Sequence, residues 1–492
     1  MKLNLLLLLV TILIYQAQSM KVLISMTFGS RSHIKNVFEI GKVLQERGDQ
    51  VAYMSLKPML RFADGYNVTK FQVGPDDIQI DDLRGISELN QTPVNPLADT
   101  VNALVDGLPI VFRTTFEDTL SVIDEYKPDV MICDFFSSSC IEAAYHRHIP
   151  LIVGFQTLDG PYVPPPYITG TLSYFPTTLA NLSFGQRFYS TVIHPLTVLP
   201  SFLALNYRLN VERARYNLPT TVVTNVGNWE NALKLCNTFM GFEGARPLDP
   251  SFKLVGPIMS EEHAPLSDGL KQFLDKRQKV VYIAFGSGVQ LSSKDVNIIF
   301  NSVKKLVEYQ NADGIIWALG KTQKATFNQT DINITHNGIN LTAEDLLNNA
   351  HPNIKFLNWA PQVAILNHEN TKLFISHGGL ESAFESMYSG TPILTIPFFG
   401  DQYRNARKVE EMGFGGYSDR FTQTSISLYN KIGEMLVDKD QSRANAMQKW
   451  QLIAKTNSKK KYEAADIIQE YVALSKAANW NIFFPFINQL IL

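Results

Sequence analysis

The chain has 492 residues, 45% hydrophobic and 18% charged, with a formal net charge of −2 and three cysteines. That length and apolar content support two ordinary cores, and a near-balanced charge with no basic stripe interleaved with aromatics speaks against nucleic acid as a partner. So few cysteines exclude a disulfide-built scaffold, and Cys133, Cys140 and Cys236 lack zinc-type spacing.

Residues 1–19 carry Lys2, an apolar run from Leu3 to Ile14 and the small-residue end Ala17-Gln18-Ser19. This is the pattern of a signal peptide, with the mature chain beginning near Met20. A retained anchor is the alternative, although the run is shorter than the ~20 residues a spanning helix needs. Asn-x-Ser/Thr acceptors at Asn67, Asn90, Asn181, Asn328, Asn333 and Asn340 agree with the secretory pathway, as a lumenal protein of the endoplasmic reticulum or a secreted one.

The mature chain opens with a strand over Val22–Met26, a Gly29-containing turn and a helix from about Ile34 to Arg47, which puts His33 at a strand-to-helix mouth. A lone histidine there is more often a cap than a base. A second buried-type strand, Pro128 to Phe136, carries Asp134 at its end and is followed by a helix to about His146 and a strand from Ile149 to Gly154. In a parallel sheet both strands end on one edge, so His33 and Asp134 can meet. A carboxylate beside an imidazole fixes its tautomer and stabilises the imidazolium, which suits removal of a proton from an alcohol.

Further along come an acidic patch from Asp76 to Asp82, read as a polar loop, a proline-rich loop from Pro161 to Pro176 and a long helical stretch near Phe188 to Tyr216. Together these outline a first domain over 20–250, with a linker over 251–279. The strand running into Phe285-Gly286-Ser287 starts a second nucleotide-binding domain over 280–455, with Gly286 and Ser287 lining the cleft. The polar stretch from Lys321 to Asn349 reads as a surface insertion. Asp438-Lys439-Asp440 lies in a charged helical region unlike a metal site, and no metal is expected.

The most informative stretch runs from Asn358 to Gln402. A short strand, Lys372 to Ser376, leads into His377-Gly378-Gly379 and an amphipathic helix opening at Glu381 or Ser382. Glycines at such a turn allow close backbone approach, and the helix's first amides attract phosphate oxygens. His377 and Ser382 add side-chain donors. Glu385, one helical turn on, can accept two hydrogen bonds from a vicinal diol. Trp359 offers a flat face to a base, and Asp401-Gln402 offers acceptors and donors to sugar hydroxyls.

The Trp359–Gln362 quartet, the His377–Gly379 turn, Glu385 eight residues after His377, the Gly390-Thr391-Pro392 step and the Asp401-Gln402 pair resemble the signature of the UDP-dependent glycosyltransferases, glycosyltransferase family 1. That group contains animal UDP-glucuronosyltransferases and plant glucosyltransferases. The resemblance implies an α/β fold of the GT-B type, two doubly wound Rossmann-like domains around an interdomain cleft. It implies that Trp359 and Gln362 contact uracil, His377, Ser382 and the Gly379 turn the diphosphate, Glu385 the ribose, and Asp401 and Gln402 the sugar. It also implies that His33 and Asp134 form the catalytic dyad of an inverting, metal-independent hexosyltransferase whose donor is a UDP-sugar and whose acceptor is a lipophilic hydroxyl compound. UDP-sugar is a co-substrate, and no further cofactor is expected.

The chain departs from this pattern at two places. Position 381 is Glu where relatives typically carry Asn, and a carboxylate beside a diphosphate repels by ~1 kcal/mol or more unless it turns outward or meets a cation. The last residues, Trp480 to Leu492, hold a short apolar run broken by Pro485 in place of the membrane-spanning helix usual in animal relatives. That run is an interfacial segment, a packed tail or a truncated anchor, so contact with a membrane surface stays open. Amphipathic helices from Ser442 to Leu474 are expected to return to the first domain, with 456–492 forming the returning helix and tail. Glucose and glucuronic acid both remain candidate donor sugars, and Arg404 or Arg31 is a candidate cation for a glucuronate. A UDP-sugar epimerase or hydrolase and a catalytically silent UDP-sugar-binding protein are the alternative functions.

Overall fold

A computed structural model describes residues 19–77, 96–158, 167, 179–221, 227–229 and 232–477. The expected signal sequence apart from Ser19, most of the acidic patch, Asn90, the proline-rich loop apart from Tyr167 and the apolar tail lie outside the described residues.

The first lobe is built on β1 (Lys21–Ser25), β2 (Gln50–Ser55), β3 (Thr69–Gln72), β4 (Val130–Asp134), β5 (Leu151–Phe155), β6 (Leu233–Cys236) and β7 (Phe252–Leu254). They pair in parallel in the order β3-β2-β1-β4-β5-β6-β7. VMICD in β4 and LIVGF in β5 are buried along their whole length, because helices cover both faces of such a sheet. Those helices include α1 (Lys35–Glu46), α2 (Pro96–Tyr126) and α3 (Ser138–His146); α4 (Phe184–Phe188) and α5 (His194–Ala214) lie further out, α5 packed on α2. α1 turns Val37, Phe38, Ile40, Val43 and Leu44 into the core. A π-helical turn, Tyr189–Ile193, joins α4 to α5 as one continuous helix. Chain order runs outward from β1 on one side and from β4 on the other, so the topological switch lies between these two strands.

The second lobe repeats the plan. It contains α6 (Asp268–Asp275), β8 (Val280–Ala284), α7 (Ser293–Glu308), β9 (Gly314–Ala318), α8 (Lys321–Gln329), β10 (Asn333–His336), β11 (Ile339–Thr342), α9 (Ala343–Leu347), β12 (Ile354–Leu357), α10 (Gln362–Leu366), β13 (Thr371–Ser376), α11 (Leu380–Ser389), β14 (Ile393–Thr395), α12 (Gln402–Glu411), β15 (Gly415–Tyr417) and α13 (Ser425–Leu436). Its parallel sheet has the order β12-β9-β8-β13-β14-β15, with the switch between β8 and β13. α14 (Ser442–Ser458) packs on α11, and α15 (Lys460–Ala477) crosses back to pack on α1, placing Ala464, Ala465, Ile468 and Val472 in the first lobe's core.

Two segments differ from the sequence expectation. The segment 251–279 is not a free linker: β7 extends the first sheet, and Leu270 and Leu274 of α6 enter the second lobe's core. The chain changes lobes over 255–267, where Val255, Ile258 and Met259 are themselves buried. The stretch 321–349 is not a surface insertion either, since Phe327, Ile332, Ile334 and Leu346 join the second lobe's core. Its potential glycosylation positions, Asn328, Asn333 and Asn340, do face outward.

Candidate active site

The two switch points face one another, and each carries one half of the site. In the first lobe the chain leaves β1 with the Thr27 N–H donating to Ser137 Oγ at 2.9 Å, which pins the exits of β1 and β4 together. A single 3-10 turn, Arg31–His33, then leads into α1 and aims the His33 ring. His33 Nδ1 lies 3.2 Å from Asp134 Oδ2. The other carboxylate oxygen accepts from the Phe136 N–H at 3.0 Å, so Asp134 is held from both ends. Gln156 donates to the His33 carbonyl at 2.8 Å and anchors the turn. The imidazole lies against Phe135 and Phe136, the first ring inclined only 7° to it. A disulfide between Cys133 and Cys140 ties β4 to α3 directly beside the dyad.

The Asp134 side chain is fully buried, and His33 retains 24% of its exposure, enough for a substrate to reach it. Burial alone would lower the His33 pKa, but the charge and hydrogen bond of Asp134, with Asp401 and Glu381 behind them, outweigh it and leave the group above its ordinary value. With Nδ1–H directed at the carboxylate, the lone pair of the neutral ring sits on Nε2.

In the second lobe β8 and β13 are neighbours in register, Ala284 opposite Ser376, so Gly286-Ser287 and His377-Gly378-Gly379 emerge side by side. A Cβ on Gly286 would come 3.0 Å from the His377 ring, and one on Gly379 would come 2.4 Å from His377 Nε2. Gly286 also has φ +67°, so glycine is required there twice over. Burial lowers the His377 pKa to about 4, so the ring is neutral at neutral pH and brings no positive charge to the turn. α11 begins at the N-cap Gly379 with no side-chain cap, leaving its first amides to the cleft, and it ends at Gly390 in the left-handed conformation. Ser382 stands half-buried in that first turn.

Glu385, one turn further, is nearly buried. Its Oε2 accepts from Gln362 Nε2 at 2.6 Å, and Gln362 Oε1 accepts from the Tyr282 hydroxyl at 3.1 Å. Its Oε1 accepts from Lys35 Nζ at 2.9 Å, a bond that crosses from the first lobe. The same ammonium lies 2.9 Å from Glu381, which therefore has the cation that its position demands. Burial works against the Lys35 charge, but the two carboxylates prevail and raise its pKa. Burial raises the Glu385 pKa, and Lys35 partly opposes that rise.

Asp401 and Gln402 close the cleft on the far side. Gln402 Oε1 accepts from the amides of Phe398 and Phe399, at 2.8 and 3.1 Å, leaving its NH2 end for a ligand. Asn405 bridges Asp401 to the Gly378 carbonyl, at 2.7 and 3.1 Å, and so couples this loop to the glycine turn. Trp359 is 67% exposed, an open indole at the rim.

The sequence-derived residues thus gather from both lobes around one cleft, with two exceptions among the secondary candidates, Arg404 and Arg31, while Asp438 and Asp440 lie outside it as expected. Arg404 is buried in an ion pair with Glu243 and lies over the Phe242 ring, so it serves the junction between the lobes. Arg31 is exposed on the 3-10 turn. Asp438 and Asp440 accept from backbone amides at the start of α14. Sequence reading missed Lys35, Tyr282 and Asn405. Only Lys35 left a signal, the unexplained carboxylate at position 381.

A family model described as UDP-glucoronosyl and UDP-glucosyl transferase matches residues 22–479. The UDP-glycosyltransferase stmC of Aspergillus ustus is 27% identical over 470 residues, 92% of this chain and 86% of that protein. The 2-hydroxyacylsphingosine 1-beta-galactosyltransferase of Rattus norvegicus is 27% identical over 260 residues, 52% of this chain and 43% of that protein. Among solved structures, the glycotransferase of kitacinnamycin superposes with a TM-score of 0.61 at 16% identity, covering 92% of this chain and 99% of its own. The spinosyn forosaminyltransferase SpnP gives 0.60 at 15% identity over 93% of this chain and 100% of its own. The two-lobed parallel architecture is the GT-B fold.

Proposed function

The chain belongs to the UDP-glucoronosyl and UDP-glucosyl transferase family, and from that premise we propose that it moves a neutral hexosyl group from a UDP-sugar to a hydroxyl of a lipophilic small molecule, with inversion. The observation that carries this reading is the His33–Asp134 pair at 3.2 Å, standing where the charge of Asp401 on the opposite lobe acts on the imidazole. His33 Nε2 takes the acceptor's proton as its oxygen bonds to the anomeric carbon. The bond from that carbon to the β-phosphate oxygen breaks, and UDP leaves with the electron pair. Asp134 stabilises the imidazolium, and the amides of α11 with His377 and Ser382 stabilise the diphosphate. An epimerase would need acid and base groups around the sugar on its own lobe, and a silent binder would have no use for an oriented dyad.

A neutral sugar is favoured over glucuronate because Asp401 already stands at the sugar end, while Arg404 is committed to Glu243. Competition between UDP-glucose and UDP-glucuronate for the purified protein tests this. UDP-glucose should bind more tightly, and a preference for UDP-glucuronate would overturn the neutral-sugar reading.

The lipophilic acceptor has support beside the dyad, where Phe28, Phe135 and Phe136 form an apolar wall. It also has support further out. Phe184, Phe188, Val192, Leu196, Leu199, Leu203 and Tyr207 are exposed at three- and four-residue intervals along α4, the π-turn and α5. No acidic residue occurs from Phe184 to Val211. This helix packs its other side on α2, so an interfacial location on a membrane fits it better than a span. Wild-type protein should sediment with anionic phospholipid vesicles, and the double variant Leu196→Glu/Leu203→Glu should remain in solution; equal sedimentation of both would count against the helix.

A further inference from the structure

We propose that Lys35, carried by the first lobe, is the counter-ion that allows the second lobe to hold a diphosphate beside Glu381, so that donor binding depends on closure of the two lobes. The proposal rests on the donor reading given above.

Glu381 occupies the first turn of α11, where the open amides offer the diphosphate its place, and its side chain remains 29% exposed. A carboxylate there repels the ligand that the amides attract. Lys35 answers it from across the cleft, with Nζ 2.9 Å from both Glu381 and Glu385. With the ammonium in place the three groups sum to one negative charge; without it, two carboxylates one helical turn apart would face an incoming dianion.

The ammonium does not block the ribose position. A carboxylate offers about four acceptor directions, and Glu385 uses two of them on Lys35 and Gln362. Two remain for ribose hydroxyls. Lys35 is the first residue of α1, and only Ile34 separates it from the 3-10 turn that aims His33. One rigid unit therefore brings both the base toward the sugar and the positive charge toward Glu381. Burial of Lys35 does not discharge it, since both carboxylates hold its proton in place.

The test is calorimetric titration of UDP and of uridine, which lacks the phosphates, into wild-type protein, Lys35→Met, Glu381→Gln and the double variant. Lys35→Met should weaken UDP by ~10-fold or more and uridine by less than ~3-fold, since only the phosphates meet the unbalanced charge. The double variant should regain UDP affinity to within ~3-fold of wild type, because removing the anion removes the need for the cation. Lys35→Arg, which keeps the charge, should retain UDP binding and provides the comparison if Lys35→Met does not fold. Equal losses for UDP and uridine, or no recovery in the double variant, would overturn the counter-ion role and leave Lys35 as a plain clamp between lobes. Wild-type protein that binds neither ligand would instead overturn the donor reading, and the proposal with it.

Discussion

His33→Ala is expected to lower turnover at saturating donor by ~10²–10⁴-fold while UDP affinity stays within ~3-fold of wild type. The asymmetry follows from where the ring sits. His33 is bonded to Asp134 and packed on Phe135 and Phe136, all in the first lobe, whereas the residues proposed for UDP belong to the second. Removing the imidazole removes the proton acceptor and leaves Glu385, His377 and the amides of α11 untouched. It also leaves one buried oxygen of Asp134 without its partner, at a cost of ~1–3 kcal/mol, although the Phe136 amide still holds the other. A melting curve therefore accompanies the kinetics. Turnover within ~3-fold of wild type in a folded variant would remove His33 as the base.

Much of this site was legible because its second half is nearly contiguous. From Asn358 to Gln402 the chain passes through strand, glycine turn, helix, strand and loop, and each feature announces its geometry locally. His33 and Asp134 were legible for a different reason: Asp134 ends one buried strand and His33 follows the turn that leaves another, and parallel pairing brings such exits to one edge. What escaped were partnerships between distant residues. Lys35 and Glu385 are 350 positions apart, and Arg404 and Glu243 are 161 apart. Neither pairing has a local pattern, and each depends on how the lobes dock. The segment 321–349 was misread for a subtler reason. In β10 a single apolar residue, Ile334, alternates with Asn333, Thr335 and His336, so a polar-looking run still buries one face. β7 was hidden by its length, three residues beside a turn.

Asp134→Asn should reduce turnover on a scale similar to loss of His33 and, in addition, move the pH profile. In the wild type His33 titrates above its ordinary value of 6.5 because Asp134 outweighs burial. The base is active when neutral, so kcat/KM should climb as pH rises through that raised pKa and then level off. With Asn in place the main force raising the pKa is gone and burial dominates. The limb should move to lower pH while the plateau falls by ~10²–10⁴-fold, the amide no longer selecting the tautomer or stabilising the imidazolium. Unfolding supplies an independent reading of the same pair. A histidine whose pKa is raised by folding stabilises the native state fully below its unfolded value, and the stabilisation disappears as pH rises through the folded value. The Tm advantage that His33 protonation gives the wild type over Asp134→Asn should thus be largest near pH 5 and shrink toward pH 9. Activity would then be highest where this contribution to stability has faded, because one proton serves both: bound, it completes the ion pair, and released, it frees the nitrogen that takes the acceptor's proton. A pH–rate limb that stays put in Asp134→Asn, with the Tm difference constant across pH, would separate Asp134 from His33 and remove the dyad.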